Sequence, residues 1–297
     1  DEIVNAVAFD HDRTHIEIGL VLLFAVLLVG FTGWSGVRSM LSFLFAVLMM
    51  WKVLLPGILR GADPVALSLV VIMLIAGVTL FLVAGVTRIG LVAWLGSLLG
   101  TLLTTCLALA LFPPFRLHGA VQPFAETLLY SGFADLDLGR LFVAAIFLGA
   151  SGAVIDVAID VAAAMGEVAA KRPDLTSRQL TRSGCIVGRA MVSTMVTTLL
   201  MAYLSGSMAL LMVLLSKGIP AAQIVNLNFI AAELLKTVVG SFGLVTVAPF
   251  TALVGGLLFA RRSPQHVPDT SRDDVTSGLP GHPEAGLVTV KVDAVQD

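Results

Sequence analysis

Six stretches of roughly twenty apolar residues succeed one another along the chain, at about 16–34, 37–59, 65–86, 89–112, 141–165 and 184–204. A bilayer core of about 30 Å needs about 20 helical residues to cross it. Only helices and closed barrels satisfy every backbone hydrogen bond in hydrocarbon. Barrel strands alternate polar and apolar residues, and a run such as 65–86 does not alternate. The predicted fold is therefore all-α, a polytopic transmembrane helical bundle. Composition agrees: 57% of the residues are hydrophobic and 13% charged, against about 25% charged in ordinary soluble domains.

The end of the apolar region is interrupted. The stretch 207–215 is too short to cross a bilayer, and Lys217, Gly218 and Pro220 prevent the helix from continuing. Gly240, Gly243 and Pro249 offer further bends. The expectation is a broken or re-entrant region near 207–240, then a seventh full span at about 242–260. Two ordinary crossings are the alternative. Residues 1–14 read as a short external segment, 15–262 as the membrane domain, and 263–297 as a disordered cytoplasmic tail rich in Pro, Ser, Asp and Gly.

Lys and Arg favour the cytoplasmic side of a membrane protein. Lys171, Arg172, Arg178 and Arg182 share one loop region, Arg38 and Arg88 sit in short connections, and Arg261 and Arg262 come directly after the last span. One topology places all of these inside: N-terminus out, C-terminus in. The segment 113–138, with Glu126, Asp135 and Asp137, is then external. Lys52 and Arg60 are mild exceptions.

Two acids interrupt the fifth span. Asp156 and Asp160 are four residues apart, so a helix carries both on nearly one side. An ionised carboxylate in hydrocarbon costs roughly 2.5–3.5 kcal/mol by insertion scales, so this stripe faces protein, water or a cation. Glu167 lies within about 20° of Asp156 on the same wheel. Arg189, in the sixth span, is expected at the depth of Asp160. Either the two form an ion pair or Arg189 snorkels to the interface. Asp156, deeper and without a predicted partner, is the candidate proton or cation carrier. The small residues 149–153 allow another backbone to approach.

Thr194, Thr197 and Thr198 cluster on the sixth span, as Thr101, Thr104 and Thr105 do on the fourth. Their hydroxyls either pack helices together or ligate a cation. Glu233 and Lys236, three apart, are placed to satisfy one another. Cys106 and Cys185 lie in apolar context and read as packing residues. No phosphate-binding glycine loop and no zinc or redox motif occurs, so neither a cofactor nor a nucleic-acid partner is expected. An aspartyl protease needs carboxylates from facing helices, whereas here both acids share one. No enzyme is expected. Expected partners are the lipid bilayer, an ion or small-molecule substrate, and either further copies of the chain or a partner subunit.

Residues 149–159, Gly-Ala-Ser-Gly-Ala-Val-Ile-Asp-Val-Ala-Ile, resemble the GALGAVMDVAMS signature of YibE/F-like bacterial membrane proteins. Residues 183–189, Ser-Gly-Cys-Ile-Val-Gly-Arg, resemble that family's SGxxIGRD segment, and residues 194–199 its TMTNTL. The segments 33–38 and 54–59 also fit, so the likeness spans about 30–260. The chain departs from the pattern at Asp160, where the family tends to have Ser, at Ala190, where it tends to have Asp, and at 196–198, where Val-Thr-Thr replaces Thr-Asn-Thr. The resemblance implies a multi-spanning inner-membrane protein, often with an external domain ahead of the spans, for which transport is the usual surmise. The expected function is an ion- or proton-coupled secondary transporter. In it, Asp156, Asp160 and the threonines bind the ion, while Arg189, Glu167, Glu233 and Lys236 serve as charge pairs or gates. The alternative is a non-transporting scaffold or assembly partner whose buried charges only hold helices together.

Overall fold

The computed structural model describes residues 13–117, 119–121, 124–133 and 135–260. The expected tail and most of the expected external segment lie outside the described residues, as do Arg261 and Arg262. No strand occurs among the described residues, and seven helices are long and apolar enough to cross a membrane. In chain order they begin with α1 (Thr14–Thr32) and α2 (Trp34–Met49). Gly33 separates them with φ +62°, a left-handed value that favours glycine. A π-turn, Met50–Leu54, joins α2 to α3 (Leu55–Leu59), so one span runs from Trp34 to Leu59. Pro56 sits at the start of α3, and a local π-turn accommodates its missing N–H.

The next spans are α4 (Pro64–Val83) and α5 (Arg88–Leu111). A short helix, α6 (Ala125–Tyr130), precedes α7 (Leu138–Lys171) and α8 (Ser177–Gly206). Two short pieces come next, α9 (Met208–Ser216) and α10 (Ala221–Val225), and then α11 (Asn228–Phe259). The helix starts are written in the sequence. Asp63 accepts hydrogen bonds from the Val65 and Ala66 N–H groups, Asp137 accepts from Arg140, and Thr176 and Gln179 form a reciprocal cap on α8.

The core is α7 and α11, each packed against α5 and α8. Without a hydrophobic force between helices in lipid, such contacts depend on small residues. On α5, Gly100 lies where a Cβ would come 2.9 Å from Val247 Cβ of α11, and Gly96 abuts Thr251. On α8, Gly184 meets Met165 of α7, and Gly188 meets both Val161 of α7 and Ala248 of α11. By contrast α1 has no buried residue, and the helix it packs against is α2.

One expectation is corrected. The last span begins at Asn228, not near 242, and runs unbroken through Gly240, Gly243 and Pro249. The broken stretch is therefore 207–227. The glycines that looked like bends serve close packing: Gly240 faces Ala150 and Leu199, and Gly243 abuts Thr104. Glu233 and Lys236 thus belong to the seventh span.

Two of the cations that the sequence grouped on one side lie together. A cavity of about 270 Å3 brings Arg88 and Arg172 together with Phe259 at the end of α11. At that end Arg172 donates two hydrogen bonds to Asp174 (2.9 and 2.8 Å), which hold the Asp174 carboxyl down to about 2. At the opposite end a cavity of about 610 Å3 is lined by Arg60, Asp63, Asp135, Asp137 and Arg140. Asp63 pairs there with Arg140, tying the start of α4 to the start of α7. Burial pushes the Asp63 carboxyl up, but the Ala66 N–H, the Arg140 guanidinium and the Val65 N–H outweigh it and hold the group below its ordinary value.

Candidate functional site

Along α7, every third or fourth residue from Phe142 to Met165 turns into the core. Asp156 lies on the opposite side and is exposed, as are Gly152 and Glu167, while Asp160 is half-buried. Asp156 stands about 22 Å from the Lys171 end and about 27 Å from the Leu138 end at 1.5 Å per residue, near the middle of the helix. Glu167 stands only about 6 Å from the Lys171 end.

On α8, Gly184 and Gly188 face inward, so their neighbours set the two flanks. Arg189 follows Gly188 by 100°. It lines a cavity of about 390 Å3 between α8 and α11, together with Cys185, Ser193, Val245 and Pro249. Pro249 has no N–H to offer the Val245 carbonyl one turn back, so this groove also holds a helix backbone with a missing donor. The other flank of α8 carries Val187, Met191, Thr194 and Thr198. Thr197 points directly outward, half a turn of the wheel from Gly188.

These positions decide the expected Asp160–Arg189 pair. The helix contacts put the two residues level: Met165 against Gly184 and Val161 against Gly188 share the register that aligns 160 with 189. Yet Arg189 lies on the flank away from α7, and the pair does not form. Among the described residues no ion pair reaches Asp156, Asp160, Glu167, Arg182 or Arg189.

The two threonine clusters separate cleanly. Thr101, Thr104 and Thr105 are buried, Thr104 and Thr105 bonding the preceding turn, and they serve packing. Thr194, Thr197 and Thr198 are exposed. Each donates its single proton backward, to Met191 O (2.9 Å), Ser193 O (3.4 Å) and Thr194 O (3.2 Å). A hydroxyl so engaged keeps its lone pairs for an outside donor or a cation. The contacts of Met165 with Gly184 and Val161 with Gly188 put Asp156 of α7 at the level of Ser193 and Thr194 of α8. No cluster of three or more His, Cys, Asp or Glu side chains gathers among the described residues.

Glu233 and Lys236 stand on a third helix. They form an ion pair at 2.8 Å on α11, and each side chain is only about a fifth exposed. The Lys236 ammonium also sits 5.2 Å from the Tyr203 ring centre. Tyr203 is a residue that the sequence reasoning missed. Its hydroxyl is buried without a hydrogen-bond partner, against Gly149, where a Cβ would stand 2.6 Å away. The available signal was its rarity: the chain has two tyrosines, and this one lies inside an otherwise apolar helix end, where a buried hydroxyl calls for a partner.

Seven apolar helices locked by small-residue contacts, with carboxylates held open at mid-span, define a polytopic helical membrane protein. The chain belongs to the YibE/F-like family: the family model described as YibE/F-like protein matches residues 20–261. Comparison with curated proteins and with solved structures gives no match.

Removing one member of a covered ion pair leaves the other charge stranded. Lys236→Met should cost about 2–3 kcal/mol, somewhat under the fully buried range. Adding Glu233→Gln should recover most of that. Thermal unfolding in detergent measures both; an equal loss in the single and the double variant contradicts the pair.

Proposed function

We propose that the chain is a secondary transporter or permease, coupled to a proton or cation that binds at Asp156. The observation that carries this reading is an exposed carboxylate without an ion pair in the middle of a spanning helix, level with threonines of α8 whose protons are already engaged. A charged group at that depth is costly unless water, protein or a cation meets it. Asp160 adds a second carboxylate one turn closer to the α7–α8 connection. The broken stretch 207–227 flanks the far end of α8, and irregular backbone at membrane depth lines cavities in transporters.

The expected setting is the bacterial inner membrane, with the N-terminus outside and the C-terminus in the cytoplasm. The gathering of Arg88 and Arg172 at one end supports that orientation. In intact cells, an impermeant thiol reagent should label Ala62→Cys and spare Pro173→Cys, in a background where Cys106 and Cys185 are serine. The reverse pattern inverts the topology.

Transport is tested in proteoliposomes loaded with a pH-reporting dye, under imposed gradients of sodium, potassium or magnesium. The wild-type protein should couple at least one of these gradients to proton movement. Asp156→Asn should lower that flux at least tenfold while the protein still purifies as a folded species. Full flux in Asp156→Asn removes the proposal. A scaffold role, with the charges serving assembly alone, predicts no flux from either protein.

A further inference from the structure

Arginine recurs along one line of α8. Arg178, Arg182 and Arg189 lie within about 40° of one another on the helical wheel, and all three are exposed. The line starts near the end of the bundle that gathers Arg88 and Arg172 and descends about 16 Å toward mid-span. Arg189, the deepest of the three, lines the cavity of about 390 Å3 between α8 and α11. Among the described residues it is the one charge there. Val192, Val245, Ala248 and Pro249 make the rest of the lining mostly apolar, and the Ser193 hydroxyl already donates to Ala190 O (2.9 Å). No ion pair among the described residues reaches any of the three arginines. The facing helix supplies no counter-charge: α11 carries no charged residue from Thr237 to Phe259.

Past the charge, the two helix lines that border the cavity stay apolar. Val196 follows Arg189 by seven residues on α8, and Phe242 precedes Pro249 by seven on α11, so each continues its own helix's line toward mid-span. Phe242 and Val245 are half exposed. Cations at one end of an open apolar track match an amphiphile rather than a free ion. We infer that this groove binds a phospholipid with an anionic headgroup. Arg189 and Arg182 hold its phosphate, and one acyl chain lies along Val192, Val245 and Phe242. A guanidinium grips a phosphate with two parallel N–H donors. Arg189 extends toward the interface to do so, as long basic side chains do, and Arg182 stands about 10 Å nearer the helix end. Basic pockets between spanning helices bind anionic headgroups in this way. The phosphate also offsets the cost of an unpaired cation at depth. The site uses none of the α7 acids, so it and the transport reading stand or fall separately.

Native mass spectrometry of the purified protein tests this, with phosphatidylglycerol or phosphatidylcholine of the same acyl chains added to the detergent. The wild-type protein should retain phosphatidylglycerol at least tenfold better than phosphatidylcholine. Arg189→Gln should erase that preference, and Arg189→Lys should keep part of it. Lys171→Gln removes a cation at the same end of the bundle but outside the groove, and should leave the preference intact. Val245→Trp keeps every charge and adds bulk at an exposed position of the groove, and should lower retention of phosphatidylglycerol at least fivefold. Excess inorganic phosphate should not displace the lipid. Equal retention of the two lipids by the wild-type protein overturns the proposal, and that comparison needs no variant to fold. Full preference in Arg189→Gln overturns it as well, as does a loss in Lys171→Gln equal to that in Arg189→Gln, or full retention in Val245→Trp. Displacement by inorganic phosphate would make this a site for a free anion and would also overturn it.

Discussion

The cost of placing a charge in hydrocarbon governs this molecule. It sends most Lys and Arg residues to the two ends, where Arg172 meets Asp174 and Arg140 meets Asp63. It couples Glu233 to Lys236 inside α11. Against that pattern, Asp156, Asp160 and Arg189 have no ion pair among the described residues. The contrast with the paired Glu233 and Lys236 is what sets the α7 acids apart.

The packing explains how the acid-bearing face of α7 stays open. α7 turns its apolar side to α5 and α11, and glycines at 96, 100, 184, 188 and 243 let the helices close with little side chain between them. Gly184 and Gly188 also fix the rotation of α8. Because they face inward, Arg189 falls toward α11, while Thr194 and Thr198 lie on the opposite flank of α8. One pair of small residues thus explains why Arg189 and Asp160, though level, do not meet.

Much of this was legible in the sequence. Seven spans are implied by run length and hydropathy, and Asp156 and Asp160 share a face because four residues exceed one helical turn by little. The depth match of Asp160 with Arg189 was legible too. Their failure to pair was not, because depth comes from counting residues whereas rotation comes from which glycine meets which neighbour. The start of the last span was misplaced for a related reason. Gly240 and Gly243 have the same composition whether they bend a helix or let Ala150 and Thr104 pack closely. The two threonine clusters read alike in sequence, and only burial separates the packing set on α5 from the open set on α8.

The central claim is that the mid-membrane carboxylate of α7 meets water rather than lipid or a sealed core. The direct measurement is the reaction of a water-soluble thiol reagent with Asp156→Cys, in protein whose native cysteines are serine, reconstituted in nanodiscs. The account predicts modification at a rate well above that of Ala158→Cys, which faces the core on the same helix. A thiol in the Asp156→Cys variant that reacts no faster than the one in Ala158→Cys would contradict it.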